Sequence, residues 1–327
     1  MRASTDTRQI DTWTEPGQLG LLLEENRQQL LGKFVGDENL SEDKLWHSMV
    51  SEIENRVSHG KALLEVQQDL GTHPLGVVVG EIANWESEHY RRKMGKVTLA
   101  TFDRLAGTST RATLFRTLAK RLGVDMLSAR VRMSDLLTVQ ALERAGAILV
   151  DVLMTFRFST RKMVRGTNSS VVSVSPSTNE EAEELIRMGG RIFTVDRFHG
   201  DPNLPKSRSD ELYSKWVSNS LAGFADIVLV ARHAGRVAGF ITCKTDKSVP
   251  GSEYGVIDLV GVNPDFSGKG IGQELVRSAL EWFGPRVRSV YVGTQAANTR
   301  AIRLYEKSGF VHVCSDPTLH LWFPTGS

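Results

Sequence analysis

The order of apolar and polar residues predicts a helical start followed by two regions of mixed helices and strands. In residues 1–70, leucines are spaced among Glu, Gln and Arg, which is typical of helices. Ser41 followed by Glu42 and Asp43 predicts a capped helix start. The segment contains no residues that suggest chemistry, so we interpret it as a helical N-terminal extension, a packing or dimerisation arm.

Residues 71–165 have the pattern of a mixed α/β region. An apolar run at 75–80 is followed by predicted strands at 97–102 and 148–158 and predicted helices at 110–122 and 139–146. The segment that follows is rich in Ser, Thr, Asn and Gly, and it contains Pro176. We therefore expect residues 166–178 to be a linker between two domains.

Residues 179–327 show the mixed pattern again. The predicted helices are at 179–188, 212–221, 273–282 and 299–308, and the predicted strands are at 226–232, 236–243, 255–262, 289–292 and 310–323. The first two strands are separated only by His233, Ala234 and Gly235, which predicts a hairpin.

The two mixed regions resemble each other near their ends. The segment from Leu142 to Gly146 aligns with the segment from Tyr305 to Gly309, at an offset of 309 − 146 = 163 residues. A repeat of this length favours two domains of one fold. Because a helix that ends at glycine before a strand is common, coincidence is the alternative.

Charge and cysteine content limit the class of partner. With 40 basic and 38 acidic residues the net charge is +2, so we expect no nucleic acid or membrane partner. Cys243 and Cys314 form no metal-binding pattern, and two cysteines are too few for a disulfide framework. The N-terminus has no apolar signal core, and charges interrupt every long apolar stretch. We therefore expect a cytoplasmic protein without a metal.

A glycine-rich loop between a predicted strand and a predicted helix is the strongest local signal. Gly268, Gly270 and Gly272 alternate in this loop, which lets the backbone approach a ligand closely. Their amide hydrogens and the helix N-terminus form an anion site suited to a pyrophosphate. A P-loop is excluded, because Lys269 is followed by Gly270 rather than by Ser or Thr.

The helix predicted at 299–308 contains a second candidate. Asn298 is suited to cap this helix, and Tyr305 lies seven residues later, two turns along the same face. A phenol is a poor acid toward water but a good one toward a departing thiolate. Taken alone, Tyr305 would be a buried helix aromatic; the glycine loop upstream favours a catalytic acid.

Together these two segments resemble the GNAT superfamily of acyl-CoA N-acyltransferases. The family's pyrophosphate loop, Arg/Gln-x-x-Gly-x-Gly/Ala, matches at Gly270 and Gly272 but has Ser267 at its first position, and the family's Asn and Tyr match Asn298 and Tyr305. The resemblance implies an α/β (α+β) fold with two tandem GNAT-like domains and a mixed central sheet flanked by helices. The first domain, 71–165, would be degenerate and the second, 179–327, catalytic.

The resemblance also implies how acetyl-CoA or another acyl-CoA is bound. The strand at 257–262 should splay from the strand at 290–293, and the amide of Val260 should stabilise the oxyanion. An amine then attacks the thioester directly, and Tyr305 protonates the sulfur. The implied acyl-CoA-binding residues are Val260, Gly261, Val262, Ser267, Gly268, Lys269, Gly270, Ile271, Gly272 and Asn298.

The base is less obvious from the sequence. Many family members have a Glu four residues before the position of Val260, but this chain has Val256 there. Asp258 is the candidate that replaces it, directly or through water. A solvated strand carboxylate is the alternative interpretation of Asp258.

The candidate substrate residues also rest on resemblance. Arg197 and Phe198, followed by a helix with Tyr213 and Trp216, resemble dTDP-fucosamine acetyltransferases, which acetylate a nucleotide-linked amino sugar. The aromatic rings would stack on a sugar or base and Arg197 would contact phosphate. A purely structural role in the core is the alternative for Tyr213 and Trp216. We interpret His199 as structural.

The first half lacks both motifs. Leu142 stands where Tyr305 stands in the second half, and residues 103–109 contain no Gly-x-Gly loop. We therefore predict that this half neither binds acyl-CoA productively nor catalyses, and that it shapes the substrate cleft or a homodimer interface.

Two alternative functions remain for the protein as a whole. One is a protein lysine or N-terminal acetyltransferase, and the other is a non-catalytic acyl-CoA-binding scaffold.

Overall fold

The structure is a computed structural model that describes residues 23–68, 74–162 and 172–323. It divides into two compact units. The first unit comprises Met1–Val35, Glu42–Val152 and Ser315–Ser327, and the second comprises Gly36–Ser41 and Leu153–Cys314. No helix in the described ranges is both long enough and apolar enough to span a bilayer.

The described chain before residue 153 alternates helices and strands. Its helices are α1 (Arg27–Leu31), α2 (Glu42–Ser58), α3 (Asn84–Tyr90), α4 (Thr108–Leu122) and α5 (Leu136–Arg144). Its strands are β1 (Leu63–Gln68), β2 (Pro74–Ile82), β3 (Met94–Phe102), β4 (Met126–Arg130) and the start of β5 (Ile148–Ser159).

The first unit is a mixed sheet with its core on the side of α4 and α5. Strands β1, β2 and β3 pair antiparallel, β3 pairs with β4 in parallel, and β4 pairs antiparallel with residues 318–322. Helix α4 buries Leu114, Phe115, Leu118 and Leu122, the three-to-four-residue spacing of an amphipathic helix. These side chains form one cluster with Leu142 of α5.

The second unit contains the remaining elements. Its helices are α6 (Ala182–Ile192), α7 (Lys206–Asn219), α8 (Ile271–Phe283) and α9 (Thr299–Lys307). The strands that follow β5 are β6 (Val172–Pro176), β7 (Ile227–His233), β8 (Arg236–Asp246), β9 (Tyr254–Val262), β10 (Ser289–Gln295) and β11 (Val311–Trp322), the last of which continues into the first unit.

The sheet of the second unit is also mixed, in the order β5-β10-β9-β8-β7-β6. Only β9 and β10 pair in parallel among the pairs described for this unit. Helix α8 buries a stripe from Ile271 to Phe283 in the same cluster as Tyr305 of α9. Helices α6 and α7 pack closely at Gly189, where a Cβ would lie 2.6 Å from Val217 Cγ2.

The two units repeat one order of elements, which confirms the predicted tandem fold. In each unit a strand, a helix, a parallel strand, a second helix and a further strand follow one another: β3-α4-β4-α5-β5 and β9-α8-β10-α9-β11. The division between the units falls inside β5 and β11. Each of these strands therefore begins in one unit and completes the sheet of the other.

Three sequence expectations differ from the structure. Residues 63–68, expected to be helical, form β1, in which Leu63, Leu64 and Val66 are apolar and pair with β2. Part of the expected linker, 172–176, forms β6, whose alternating Val and Ser side chains place Val172 in the core. The units divide between Val152 and Leu153 rather than at 166–178. Residues 1–22, 69–70 and 166–171 lie outside the described ranges.

Candidate active site

The glycine loop lies exposed between β9 and α8. Phe266, which is 5% exposed, anchors the start of the loop, whereas residues 267–270 face solvent. Gly268 and Gly270 both have a φ of 77°, a left-handed backbone conformation that residues with a Cβ rarely adopt. A Cβ at either position would meet no atom within 4 Å, so glycine is needed there for the backbone conformation.

The amides of this loop are available to a ligand. Gly270 is the N-cap of α8 and provides no capping side chain. Within the described residues, the amides of Gly268, Gly270, Ile271 and Gly272 donate no hydrogen bond. A helix N-terminus with free N–H groups attracts anions, and Lys269 adds positive charge beside it. The residues present therefore fit the diphosphate of a coenzyme A.

Strands β9 and β10 pair over a short distance only. The parallel register covers Val290–Val292 against Gly255–Ile257, as the predicted splay requires. The pairing of β8 with β9 is irregular at one point. Ile241 pairs with Val260 and Cys243 pairs with Ile257, so two steps along β8 face three steps along β9. Strand β9 therefore has a bulge at Asp258 and Leu259.

The bulge orients the backbone of β9. Leu259 N–H donates to Thr242 Oγ1 at 2.9 Å, toward β8. Because successive N–H groups of a strand point to opposite sides, the N–H of Val260 is directed toward β10, where the pairing has ended. Gly261 packs against α6: a Cβ there would lie 2.3 Å from Ile192 Cδ1. The half-buried Val262 packs against the core on the side of α8.

Tyr305 lies on α9, one residue after Leu304, which faces Gly272 at the end of the glycine loop. Asn298 caps this helix by accepting a hydrogen bond from Ala301 N at 3.2 Å, which agrees with the capping role expected from the sequence. Gly272 brings α8 close to the helix, since a Cβ would lie 3.1 Å from Leu304 Cδ2.

The phenol of Tyr305 is buried and protonated. The residue is 4% exposed, and its ring packs against Phe156 and Phe310 with centroid distances of 6.0 and 5.8 Å. Burial raises the pKa of Tyr305 well above its ordinary value, so the hydroxyl is a proton donor at neutral pH. Within the described residues this hydroxyl makes no hydrogen bond, which leaves it available to a ligand.

Asp258 lies on the opposite face of the sheet from Tyr305. Trp216 Nε1 on α7 donates to Asp258 Oδ2 at 2.8 Å. Burial raises the pKa of Asp258, while the Trp216 hydrogen bond and the charge of Lys244 act against that shift. A carboxylate with a raised pKa is a better proton acceptor than an ordinary solvated one. The sequence did not indicate either partner.

The aromatic candidates form a packed column. Tyr213, 7% exposed, stacks between Phe193 at 4.8 Å and Trp216 at 5.7 Å, measured between ring centroids. Phe198 is 2% exposed, and Arg197 lies 4.3 Å above its ring. Tyr213 thus has the core position that the sequence left as its alternative, and Phe198, for which the sequence gave no such alternative, is buried as well. Trp216 is half-buried and reaches Asp258.

His199 supports the same column. Its Nδ1 contacts Asp196, its Nε2 contacts Asp210 Oδ1 at 3.1 Å, and its ring stacks on Tyr213. The hydrogen bond with Asp196 raises the pKa of His199, burial opposes the shift and Asp210 adds to it. His199 therefore fixes the segment before α7.

Segment 36–41 contributes a polar cluster that the sequence did not indicate. The buried Asp37 accepts hydrogen bonds from Tyr291 Oη at 2.6 Å and Ser289 Oγ at 3.0 Å on β10. Burial alone would raise the pKa of Asp37, but these hydrogen bonds hold it below its ordinary value. The cluster attaches this short segment to the second unit.

The corresponding place in the first unit is filled by its own side chains. Arg111 on α4 is 4% exposed and donates to Ala106 O, Asp135 Oδ1 and Thr138 Oγ1 at 2.7–2.8 Å. Asp135 caps α5, as Asn298 caps α9. The buried Leu142 occupies the position equivalent to Tyr305.

Comparison with known proteins agrees with this geometry. Residues 195–310 match the family model described as "Acetyltransferase (GNAT) family". The spore coat polysaccharide biosynthesis protein SpsD of Bacillus subtilis (strain 168) is 26% identical over 249 residues, which cover 76% of this chain and 84% of that protein. The N-alpha-acetyltransferase RimI of Mycobacterium tuberculosis (strain ATCC 25618 / H37Rv) is 29% identical over 142 residues, 43% of this chain and 80% of that protein.

A solved structure matches the fold over nearly the whole chain. The tandem GNAT protein from the clavulanic acid biosynthesis pathway aligns with a TM-score of 0.52 at 13% identity, over 96% of this chain and 98% of that one. This likeness concerns the fold alone.

GNAT enzymes use acetyl-CoA as co-substrate, and the exposed loop, the short β9–β10 pairing and the buried phenol fit that use. The chain therefore carries a GNAT-family acetyltransferase domain in residues 195–310 and is an acyl-CoA-dependent N-acyltransferase.

Proposed function

We propose that the second unit transfers an acyl group, acetyl in the first instance, to the primary amine of a nucleotide-linked amino sugar. The observation that carries the proposal is that Asp258 directly follows the end of the β9–β10 pairing on one face of the sheet, while Tyr305 belongs to the core on the other face. A proton donor for the thiolate and a proton acceptor for the amine thus approach one point from two sides.

Several residues would hold the acyl-CoA. The free amides of Gly268, Gly270, Ile271 and Gly272 would bind its diphosphate, with Ser267 and Lys269 beside it. The pantetheine would lie along Val260, Gly261 and Val262, and the side-chain amide nitrogen of Asn298, which the cap leaves free, is a further candidate contact. Acyl-CoA supplies the activated thioester.

The protein residues would then divide the proton transfers. Asp258 accepts a proton from the attacking amine, directly or through water, because its raised pKa makes it the stronger base. The N–H of Val260 donates to the developing oxyanion. The Tyr305 hydroxyl, which is protonated at neutral pH, gives its proton to the departing sulfur.

Direct attack in a ternary complex is supported by the state of Cys243. A covalent route through Cys243 would need a reactive thiolate at that residue. Cys243 is 0% exposed, and burial together with Asp226 raises the pKa of its thiol far above its usual range.

The acceptor class is supported by the SpsD relative and by the column that ends at Trp216. SpsD is named for polysaccharide biosynthesis, a process that uses sugar acceptors. We propose Trp216 and Arg197 as substrate contacts. Phe198 and Tyr213 would act by supporting them, because both rings are buried.

A thiol-release assay with acetyl-CoA tests the function. The acceptor panel contains dTDP-linked amino sugars, free amino sugars, lysine peptides and peptides with free N-termini. We expect turnover with the nucleotide-linked amino sugars and little with either peptide class. Preferred turnover of N-terminal peptides, the substrates that the RimI relative's name indicates, would replace our proposal with the alternative enzyme. Tight CoA binding without thiol release from any amine would indicate a scaffold.

A further inference from the structure

A row of residues crosses the face of the second sheet that carries Asp258. Lys244 pairs with Val256, Val256 with Tyr291, and Tyr291 with Arg157. The neighbours Cys243, Ile257, Val290 and Phe156 belong to the core on the side of α8 and α9, so the row faces the opposite side, toward α7. This is the side from which an acyl acceptor would reach Asp258.

Lys244 is a half-buried cation with no carboxylate in direct contact. Within the described ranges its ammonium makes no hydrogen bond and no ion pair shorter than 4.0 Å, and the carboxylate that its charge affects is Asp258. The ammonium lies 4.1 Å from the ring centroid of Phe224. A partly desolvated ammonium beside an aromatic ring, with no direct ion pair, is suited to bind an anion from outside the chain.

Phe224 is an exposed aromatic ring at the same place. It ends the turn Ser220–Phe224 that follows α7, in which Gly223 has a φ of 106°. The residue is 49% exposed, although most large apolar residues of this unit are buried. An exposed ring next to a partly desolvated cation suits a ligand with both a flat or ring-shaped part and a negative charge.

The position of Lys244 relative to Asp258 defines the ligand further. Asp258 lies two residues beyond Val256, the cross-strand partner of Lys244. Such diagonal neighbours are about 7–8 Å apart. An amine and a phosphate on opposite sides of one sugar ring span a comparable distance.

We propose that Lys244 and Phe224 form an anion subsite of the acceptor site, in which Lys244 binds a phosphate of the acceptor while the acceptor's amine points to Asp258. This inference rests on the proposed function and adds to it: the substrate class is an amine that carries a phosphate across one sugar ring. The subsite determines acceptor choice, and it affects the proton transfers only through the charge of Lys244, which opposes the rise in the pKa of Asp258.

Lys244→Met tests the subsite in two independent ways. The first probe is dTDP, titrated calorimetrically into protein saturated with CoA, so that the CoA site is already filled. We expect its dissociation constant to rise about tenfold or more, the loss of one charge-assisted hydrogen bond. Lys244→Arg should retain most of the affinity. The matched control is Lys247→Met, an exposed lysine at the end of the same strand, which should change nothing.

The second test compares two acceptors on the pH plateau of activity. Lys244→Met should raise KM for a dTDP-linked 4-amino-4,6-dideoxy sugar about tenfold. On this plateau, where Asp258 is ionised in both proteins, kcat/KM for the methyl glycoside of the same sugar should change about threefold at most. Equal dTDP affinity in wild type and variant, or an equal loss with both acceptors, would overturn the subsite. Because the dTDP titration needs no turnover, a chain that binds dTDP through Lys244 but acetylates no amine would refute the proposed function alone.

Discussion

The chemistry at the residue scale depends on groups whose environment differs from that of free amino acids. Burial raises the pKa of Tyr305, whose phenol is protonated at neutral pH in any case, and the same effect makes Asp258 more basic. The sequence could identify Tyr305, because a helix with Asn298 and Tyr two turns apart is a local pattern. It could not identify Trp216 or Lys244 as partners of Asp258, because they come from different elements and meet only in the folded sheet.

Asp258→Asn tests the base at this scale. Asparagine keeps an acceptor for Trp216 but cannot take a proton, so we expect kcat/KM to fall about 100-fold or more. In wild type, activity should be lost as pH falls and the carboxylate is protonated, with a midpoint above 3.8 because the pKa is raised.

Stability separates this role from a structural one. A raised carboxyl pKa means that the ionised form, present at neutral pH, is disfavoured by folding. The free energy of unfolding of Asp258→Asn at pH 7 should therefore be at least that of wild type, measured by denaturant titration. A destabilised variant with an unshifted pH profile would assign Asp258 a packing role instead.

At the scale of elements, the glycine loop and the bulge of β9 place the reacting groups. The loop was predictable because its function requires glycine at fixed spacing. The bulge was not, because it is set by the register between β8 and β9 rather than by any local residue pattern. The alternating Val and Ser of residues 172–176 did contain the signal of a strand, but their polar composition favoured a linker.

Gly270→Ala tests the loop. A Cβ at a φ of 77° costs about 1 kcal/mol or more, so the backbone should leave the conformation that exposes its amides. We expect the dissociation constant of CoA, measured by calorimetry, to rise about tenfold or more. Gly251→Ala is the matched control: Gly251 has a φ of 76° in the turn between β8 and β9, and CoA affinity should be unchanged. Equal losses in both variants would mean general destabilisation.

At the scale of the whole molecule, the chain contains two units of one fold and one set of catalytic groups. The offset between Leu142 and Tyr305 predicted the repeat, because each helix ends at glycine before a strand. The exchange of β5 and β11 between the units was not predictable, since strand pairing over such separations leaves no local pattern. In the first unit Arg111 and Asp135 fill the equivalent place, so all turnover should depend on the second unit.

The rate of thiol release by Tyr305→Phe tests the central claim most directly. Phenylalanine keeps the ring that packs against Phe156 and Phe310 and removes only the hydroxyl. We predict that kcat falls about 100-fold or more, while one CoA per chain still binds with wild-type affinity. A kcat within about twofold of wild type, with CoA binding intact, would contradict a mechanism in which this phenol protonates the leaving thiolate.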